Sequence, residues 1–68
     1  MKNLLPELRH QLKITQQDLA DKMEVSRQTI ISIESGKYNP SIILAHNIAN
    51  YFNKKIEDIF IFEEDKNE

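Results

Sequence analysis

The sequence predicts an all-α fold, a small domain of packed amphipathic helices, and three observations support this prediction. Apolar residues recur at helical spacing through most of the chain. Hydroxyl residues stand where three of these apolar runs begin, as helix N-caps do. The single glycine follows one run directly, where a helix end often needs a left-handed residue. At 68 residues, the chain has the size of one domain with a barely sufficient core.

The first helix is predicted to run from residue 4 or 5 to Leu12. Pro6 suits its first turn, because a missing N–H is no loss there. Leu5, Leu8 and Leu12 lie on one side and form the expected buried stripe. Arg9 lies beside this stripe, where it could bind phosphate, although such an arginine is often held by a carboxylate instead.

Residues 16–34 contain two short amphipathic helices. Thr15 is predicted to cap the first of them, with Asp18 as its capping-box partner, and Ser26 is predicted to cap the second. Residues 24–26 leave room only for a tight turn between them. This arrangement is a helix-turn-helix, whose second helix is the candidate for entering a DNA major groove. The expected buried stripes are Leu19, Ala20, Met23, Ile30 and Ile33.

Ser41 is predicted to cap a fourth helix from about Ile42 to Phe52, and Asn53 is a plausible left-handed stop. Ile43 is expected to point away from the core. The predicted apolar face consists of Ile42, Ala45, Ile48, Ala49 and Phe52, with Leu44 alongside.

The C-terminal segment is expected to complete the core and the dimer. Residues 56–60 have room for one more helical turn, and the β-branched and aromatic residues after it suggest either a strand from about Ile61 or the end of a last helix. We favour the strand. Ile61 and Phe62 either cover the core or dock on a second copy, while residues 63–68 are expected to form a solvated acidic tail.

The charge is distributed unevenly. The chain has a net charge of -2, but residues 1–55 hold eight Lys/Arg against five Asp/Glu, and residues 56–68 hold one against six. The distribution of charge along the chain is a better indicator of binding to a polyanion than the net charge is. A net charge of +3 on residues 1–55 is modest, so one copy should bind DNA weakly and in a salt-sensitive way.

Composition excludes several classes of protein. Without cysteine, the chain has no disulfide framework, thiolate zinc site or thiol nucleophile. No apolar run approaches the roughly 20 residues that span a bilayer, and no signal-peptide pattern is present, so we expect a cytoplasmic protein. His10 and His46 show no metal-ligand spacing, and no catalytic set appears. We expect no metal, no cofactor and no enzymatic activity.

The third helix is expected to expose Arg27, Gln28, Ile31 and Ser32. A solvated helix face is the alternative, but these residues begin at the start of a helix that follows a tight turn, where base-reading residues sit. Arginine pairs with guanine, glutamine pairs with adenine, and an apolar side chain suits a thymine methyl. We therefore predict that this set reads bases.

Other residues are expected to contact the DNA backbone. Gln16 and Gln17 open the second helix, whose N–H groups favour a phosphate, although simple helix-start polarity would also explain them. Lys37, Tyr38 and Asn39 follow the third helix as candidate phosphate contacts, with packing an equal alternative for Tyr38.

These residues resemble the Cro/phage-repressor-like (XRE-type) helix-turn-helix family, and most closely its compact cytolysin-repressor-like bacterial regulators. The match spans Ile14 to Ser41 and extends to about Phe60. The resemblance implies a five-helix domain, sometimes finished by a small antiparallel β-ribbon, that acts as a homodimeric repressor. The residues that make it specific in combination are Gln16, Leu19, Ala20, Val25, Ser26, Ile30, Ile33, Glu34, Gly36 and Pro40.

The resemblance also implies roles for individual positions. Gln16 would contact phosphate and support the recognition helix, while Arg9 would pair with Glu34. Phage repressors often have glutamine at the position of Arg27, so their base preference does not transfer. They also carry a separate oligomerisation domain, so dimer contacts here must come from the C-terminal half. The expected backbone-contacting and supporting set is Gln16, Gln17, Ser26, Ser35, Lys37, Tyr38 and Asn39.

We therefore predict one DNA-binding domain over residues 1–68, with residues 42–62 serving the core and the dimer. It would act as a homodimeric repressor on a palindromic operator, with recognition helices about 34 Å apart. The predicted dimer interface is Ile43, Ile61 and Phe62. The alternative is an antitoxin-like or other interaction module whose C-terminal segment binds a partner protein.

Overall fold

Five helices make up most of residues 1–62, the part of the chain that the computed structural model describes. They are α1 (Leu5–Leu12), α2 (Gln16–Met23), α3 (Arg27–Glu34), α4 (Ile42–Phe52) and α5 (Ile56–Ile59). The predicted all-α class is confirmed. The expectation of an acidic tail at 63–68 lies outside the described residues. No helix within residues 1–62 is long and apolar enough to cross a membrane.

Hydroxyl caps start three of the helices, as predicted. The Thr15 hydroxyl accepts from the Asp18 N–H at 3.0 Å, and the Asp18 carboxylate accepts from the Thr15 N–H at 2.9 Å. Ser26 and Ser41 each accept from the amide three residues further on, both at 3.1 Å. Each cap satisfies an N–H that the helix itself cannot pair. The starts of α2, α3 and α4 are thus determined locally.

Left-handed residues terminate the helices. Asn53 ends α4 at φ 57°, and Gly36 follows the end of α3 at φ 84°, both as predicted. Lys13 and Glu24 take the same conformation, each at φ 59°, after α1 and α2. These two were not predicted, because neither glycine nor asparagine marks them.

The core draws side chains from every helix, but two residues predicted to lie in it do not. Leu12 is 51% exposed and Ile42 is 84% exposed. Both stand at a helix terminus, where the apolar stripe runs past the packed neighbours. The exposure predicted for Ile43 is confirmed. The largest fully buried side chains are Leu5, Leu19, Ile30, Ile33, Ile48, Ile59 and Phe60.

The strand predicted from Ile61 is wrong. Within residues 1–62, the only strand-like pairing is an isolated antiparallel bridge between Asn3 and Phe60. Residues 2–4 and 59–61 extend it by two backbone bonds of 2.8 Å. Because Phe60 is buried and α1 begins directly after the N-terminal partner, the pairing is too short to become a ribbon.

Candidate nucleic-acid interface

The outer face of α3 contains the four residues predicted to read bases. Arg27 and Gln28 are exposed in its first turn, and Ile31 and Ser32 are half-buried one turn later. The amide of Gln28 donates to the Ser32 hydroxyl at 3.3 Å, as residues four apart on one helix face can. The opposite face of α3 is buried in the core. The helix therefore presents two long polar side chains at its start and a more recessed pair behind them.

Ser26 holds the start of α3 in place. Its hydroxyl accepts from the Thr29 N–H and lies 3.0 Å from the Thr29 hydroxyl. The three residues between α2 and α3 match the predicted turn. Since Ser26 is engaged within its own helix, it positions Arg27 and Gln28 through the backbone.

A buried ion pair joins α1 to the end of α3. Nε of Arg9 lies 2.6 Å from Oε2 of Glu34, and a second guanidinium nitrogen donates to Oε1 at 3.1 Å. The third nitrogen donates to the Ile14 carbonyl at 3.2 Å. The two side chains are only 10% and 7% exposed. The pairing of Arg9 with Glu34 is confirmed, and each nitrogen of the guanidinium donates to a protein acceptor.

The two glutamines at the start of α2 have different partners. The amide of Gln16 is half-buried and donates to Oε1 of Glu34 at 3.0 Å, which links α2 to the end of α3. Gln17 is exposed and donates to Asp21 at 2.8 Å along its own helix. Gln16 thus contacts the element that bears the predicted base readers.

An open cleft of about 770 Å³ lies between the end of α1 and the starts of α2 and α3. His10, Lys13 and Arg27 are among its lining residues, together with Gln16 and Gln17. Because its charged residues are cationic and the start of α2 lies within it, the cleft suits a phosphate backbone. Among the described residues, no group of His, Cys, Asp or Glu could hold a metal ion.

The loop after α3 lies beyond the far end of the same face. The backbone N–H groups of Lys37 and Tyr38 both donate to the Ser32 carbonyl, at 3.1 and 3.2 Å, and fold the loop back on the helix. The Ser35 hydroxyl donates to the same carbonyl at 3.0 Å. The side chains of Lys37, Tyr38 and Asn39 are exposed. The loop therefore leaves these three side chains available to a ligand.

Residues 7–59 match the family described as Helix-turn-helix, which is well over half of the chain. The chain belongs to the XRE-type helix-turn-helix family. It is therefore a DNA-binding protein and not an enzyme.

Curated relatives agree with this membership, and a solved structure shares the fold. An uncharacterized HTH-type transcriptional regulator of Methanocaldococcus jannaschii is 59% identical, over 97% of this chain and 100% of its own. The Bacillus subtilis regulator YgzD, also described as uncharacterized, is 43% identical over 96% and 98%. The crystal structure of a transcriptional regulator from Listeria innocua has a TM-score of 0.78 at 20% identity, over 100% of this chain and 68% of that one, and shows the fold alone.

The predicted dimer residues of this XRE-type protein lie at its surface. Ile43 is 72% exposed and Phe62 is 60% exposed, and Ile61 is also exposed. An apolar groove of about 260 Å³ lies beside Phe62, with Ile42 and Phe60 among its lining residues. Ile42 was assigned to the core from the sequence, but it belongs to this surface.

The N-terminal segment, residues 1–4, makes contacts that were not predicted from the sequence. The amide of Asn3 donates to the Ile33 carbonyl near the end of α3 at 2.9 Å. The amino group of Met1 donates to the Gly36 carbonyl at 3.0 Å. An asparagine shortly before a helix is a cap signal, but nothing in the sequence indicates that it also reaches α3.

Proposed function

We propose that this chain is a homodimeric transcriptional repressor that binds a palindromic operator through α3. The observation that supports it most is the position of Arg27 and Gln28. Both are exposed in the first turn of α3, directly after a tight turn, on the side opposite the core. In helix-turn-helix proteins, the residues at this position contact base edges.

Each residue on this face has a chemistry that suits a base. Arg27 can donate two hydrogen bonds to guanine, and Gln28 can form a bidentate pair with adenine. The Gln28 amide donates to the Ser32 hydroxyl at 3.3 Å, so these two side chains lie side by side on this face. Ile31 is half-buried, so it offers a small apolar surface to a thymine methyl rather than a full side chain.

The residues expected to contact the DNA backbone lie on two sides of this face. The cleft beside Gln16 and Gln17 would hold one phosphate, and Lys37, Tyr38 and Asn39 would contact another. A net charge of +3 over residues 1–55 supplies few of the ion pairs that give a DNA-binding protein its affinity. A single copy would therefore bind weakly, and two copies on one duplex would combine their contacts.

A second copy would bind through Ile43, Ile61 and Phe62, which are apolar and exposed. Twofold symmetry would place the two α3 helices about 34 Å apart, one DNA turn, on inverted half-sites. A dimer that covers a promoter blocks polymerase sterically. We place the protein in the cytoplasm, where archaeal and bacterial chromosomes lie.

Selection from a pool of randomised duplexes tests this proposal. The full chain should enrich two inverted half-sites with centres about one helical turn apart. Recovery of a single unpaired site, or no enrichment over several rounds, would contradict the dimeric operator.

The exposed Ile61 and Phe62 also support a second candidate, in which the C-terminal segment binds a toxin-like partner protein. Sedimentation equilibrium separates the two. A homodimer that Phe62→Ser dissociates, while Leu12→Ser does not, supports the repressor dimer. Leu12 is a suitable control because it is a comparably exposed apolar residue outside the groove. A chain that stays monomeric until a partner protein is added would support the second candidate.

A further inference from the structure

The N-terminal segment, residues 1–4, contacts both the C-terminal segment and the end of α3. The proposed function gives these two parts separate roles, in dimerisation and in DNA binding. On one side, residues 2–4 pair with residues 59–61 through the Asn3–Phe60 bridge and two backbone bonds of 2.8 Å. Phe62, a predicted dimer contact, follows directly. On the other side, Asn3 and Met1 reach the end of α3. The segment therefore lies between the dimer surface and the recognition helix.

We propose that Asn3 is a positioning residue for α3, linking the C-terminal segment to the base-reading face. The inference rests on the proposed function for its effect on DNA. The side-chain amide donates to the Ile33 carbonyl at 2.9 Å, and the side-chain oxygen accepts from the Leu5 N–H at 3.2 Å. The backbone of the same residue bridges Phe60. One half-buried residue thus contacts α1, α3 and the C-terminal segment.

Two sets of contacts, from different parts of the chain, hold the end of α3. Glu34 is held by Arg9 of α1 and Gln16 of α2, while Ile33 is held by Asn3. Asn3 contacts the backbone carbonyl of Ile33, whereas Arg9 and Gln16 contact the side chain of Glu34, so the two sets of contacts together hold the last turn of α3. With the Asn3 contact removed, the Ile33 carbonyl retains the bond that it accepts from the Gly36 N–H at 3.0 Å, and the last turn of α3 is held less firmly.

Base reading and phosphate binding should respond differently to such loosening of α3. Hydrogen bonds to base edges need close alignment, whereas long side chains follow a phosphate through small shifts. Removal of the Asn3 contact should thus lower specific binding and leave non-specific binding nearly unchanged. A purely structural role would lower both together through unfolding.

Two substitutions of Asn3 separate its contacts. Asn3→Ser keeps a short acceptor that can serve the Leu5 N–H, but its side chain cannot reach Ile33. Asn3→Ala removes both contacts. In Asn3→Ser we expect near-wild-type thermal unfolding and faster hydrogen exchange at the amides of Gly36 and Lys37. We also expect about fivefold weaker binding to a duplex selected by the wild type, with unchanged binding to random duplex.

The inference would be overturned if Asn3→Ser kept both the wild-type hydrogen-exchange rates at Gly36 and Lys37 and the wild-type preference for the selected duplex. Asn3 would then only cap α1. Equal losses on selected and random duplexes would overturn it as well. A wild-type chain that does not discriminate between duplexes contradicts the proposed function instead. In that case the exchange rates at Gly36 and Lys37 still decide whether Asn3 positions α3.

Discussion

Arg9 and Glu34 form a buried pair with 2.6 Å between Nε and Oε2, and Gln16 donates to Oε1 of the same carboxylate at 3.0 Å. Three helices therefore meet at the last residue of α3. The sequence left open whether Arg9 binds phosphate or a carboxylate. The structure assigns it to the carboxylate, so Arg9 holds the end of α3.

Glu34→Gln should destabilise the fold by about 3 kcal/mol, because it leaves the Arg9 guanidinium buried without a counter-charge. Urea unfolding monitored by circular dichroism measures the loss. The double variant Arg9→Met with Glu34→Leu should recover most of it, since an apolar pair of similar size carries no buried charge. A single-variant cost below about 0.5 kcal/mol would show that the pair is effectively solvated.

The capping box of α2 should make the stability of the fold depend on pH. The backbone N–H of Thr15, and then its hydroxyl contact, hold the pKa of the Asp18 carboxyl below its ordinary value of 3.8. Because the pKa is lowered in the folded state, the stabilisation is complete above the ordinary value and is lost as pH falls through the folded value.

The comparison of wild type with Asp18→Asn should show this pH window. The difference in thermal midpoint should be constant from pH 8 to about pH 5 and should shrink below about pH 4. A difference that stays constant at pH 3 would mean that the carboxylate charge plays no part in the cap.

Gly36→Ala should destabilise the protein by about 1–2 kcal/mol, because Gly36 has φ 84°, which an alanine adopts only with strain. A Cβ there would lie 3.4 Å from the Met1 carbonyl oxygen, an ordinary van der Waals contact, so the cost comes from the backbone conformation. Gly36→Asn is the matched control, since it adds the same Cβ but tolerates the left-handed region better. Thermal unfolding should rank the glycine first, asparagine second and alanine last. Equal stability of all three would refute a conformational role for Gly36.

Helix positions could be predicted because their signals are local. Thr15, Ser26 and Ser41 act within one helical turn, and the helices begin where these caps indicate. The pairing of Arg9 with Glu34 was implied by the family resemblance rather than by the local pattern.

The wrong predictions concern features that are determined by tertiary contacts. Periodicity assigns Leu12 and Ile42 to the core, but it does not show where the neighbouring helices stop. The strand predicted from Ile61 depends on a partner, and the N-terminal segment that pairs nearby is too short. The contact of Asn3 with Ile33 joins residues 30 positions apart, and no local sequence pattern predicts a contact between residues so far apart.

Arg27→Ala should weaken binding to the selected operator by about 1–3 kcal/mol and relax preference at one base position. Lys37→Ala is the matched control, because it removes one positive charge from the same interface and should weaken all duplexes alike. Fluorescence anisotropy with operator and random duplexes compares the two variants. Parallel losses on both duplexes for Arg27→Ala would show that it binds phosphate rather than a base.

Titration of the full chain onto the duplex upstream of its own gene, at several salt concentrations, tests whether the protein binds DNA sequence-specifically. A random duplex of equal length and composition is the control. We predict binding at least about a thousandfold tighter to the upstream duplex, with both affinities falling steeply as salt rises. Equal affinities for the two duplexes at every salt concentration would contradict a sequence-specific repressor.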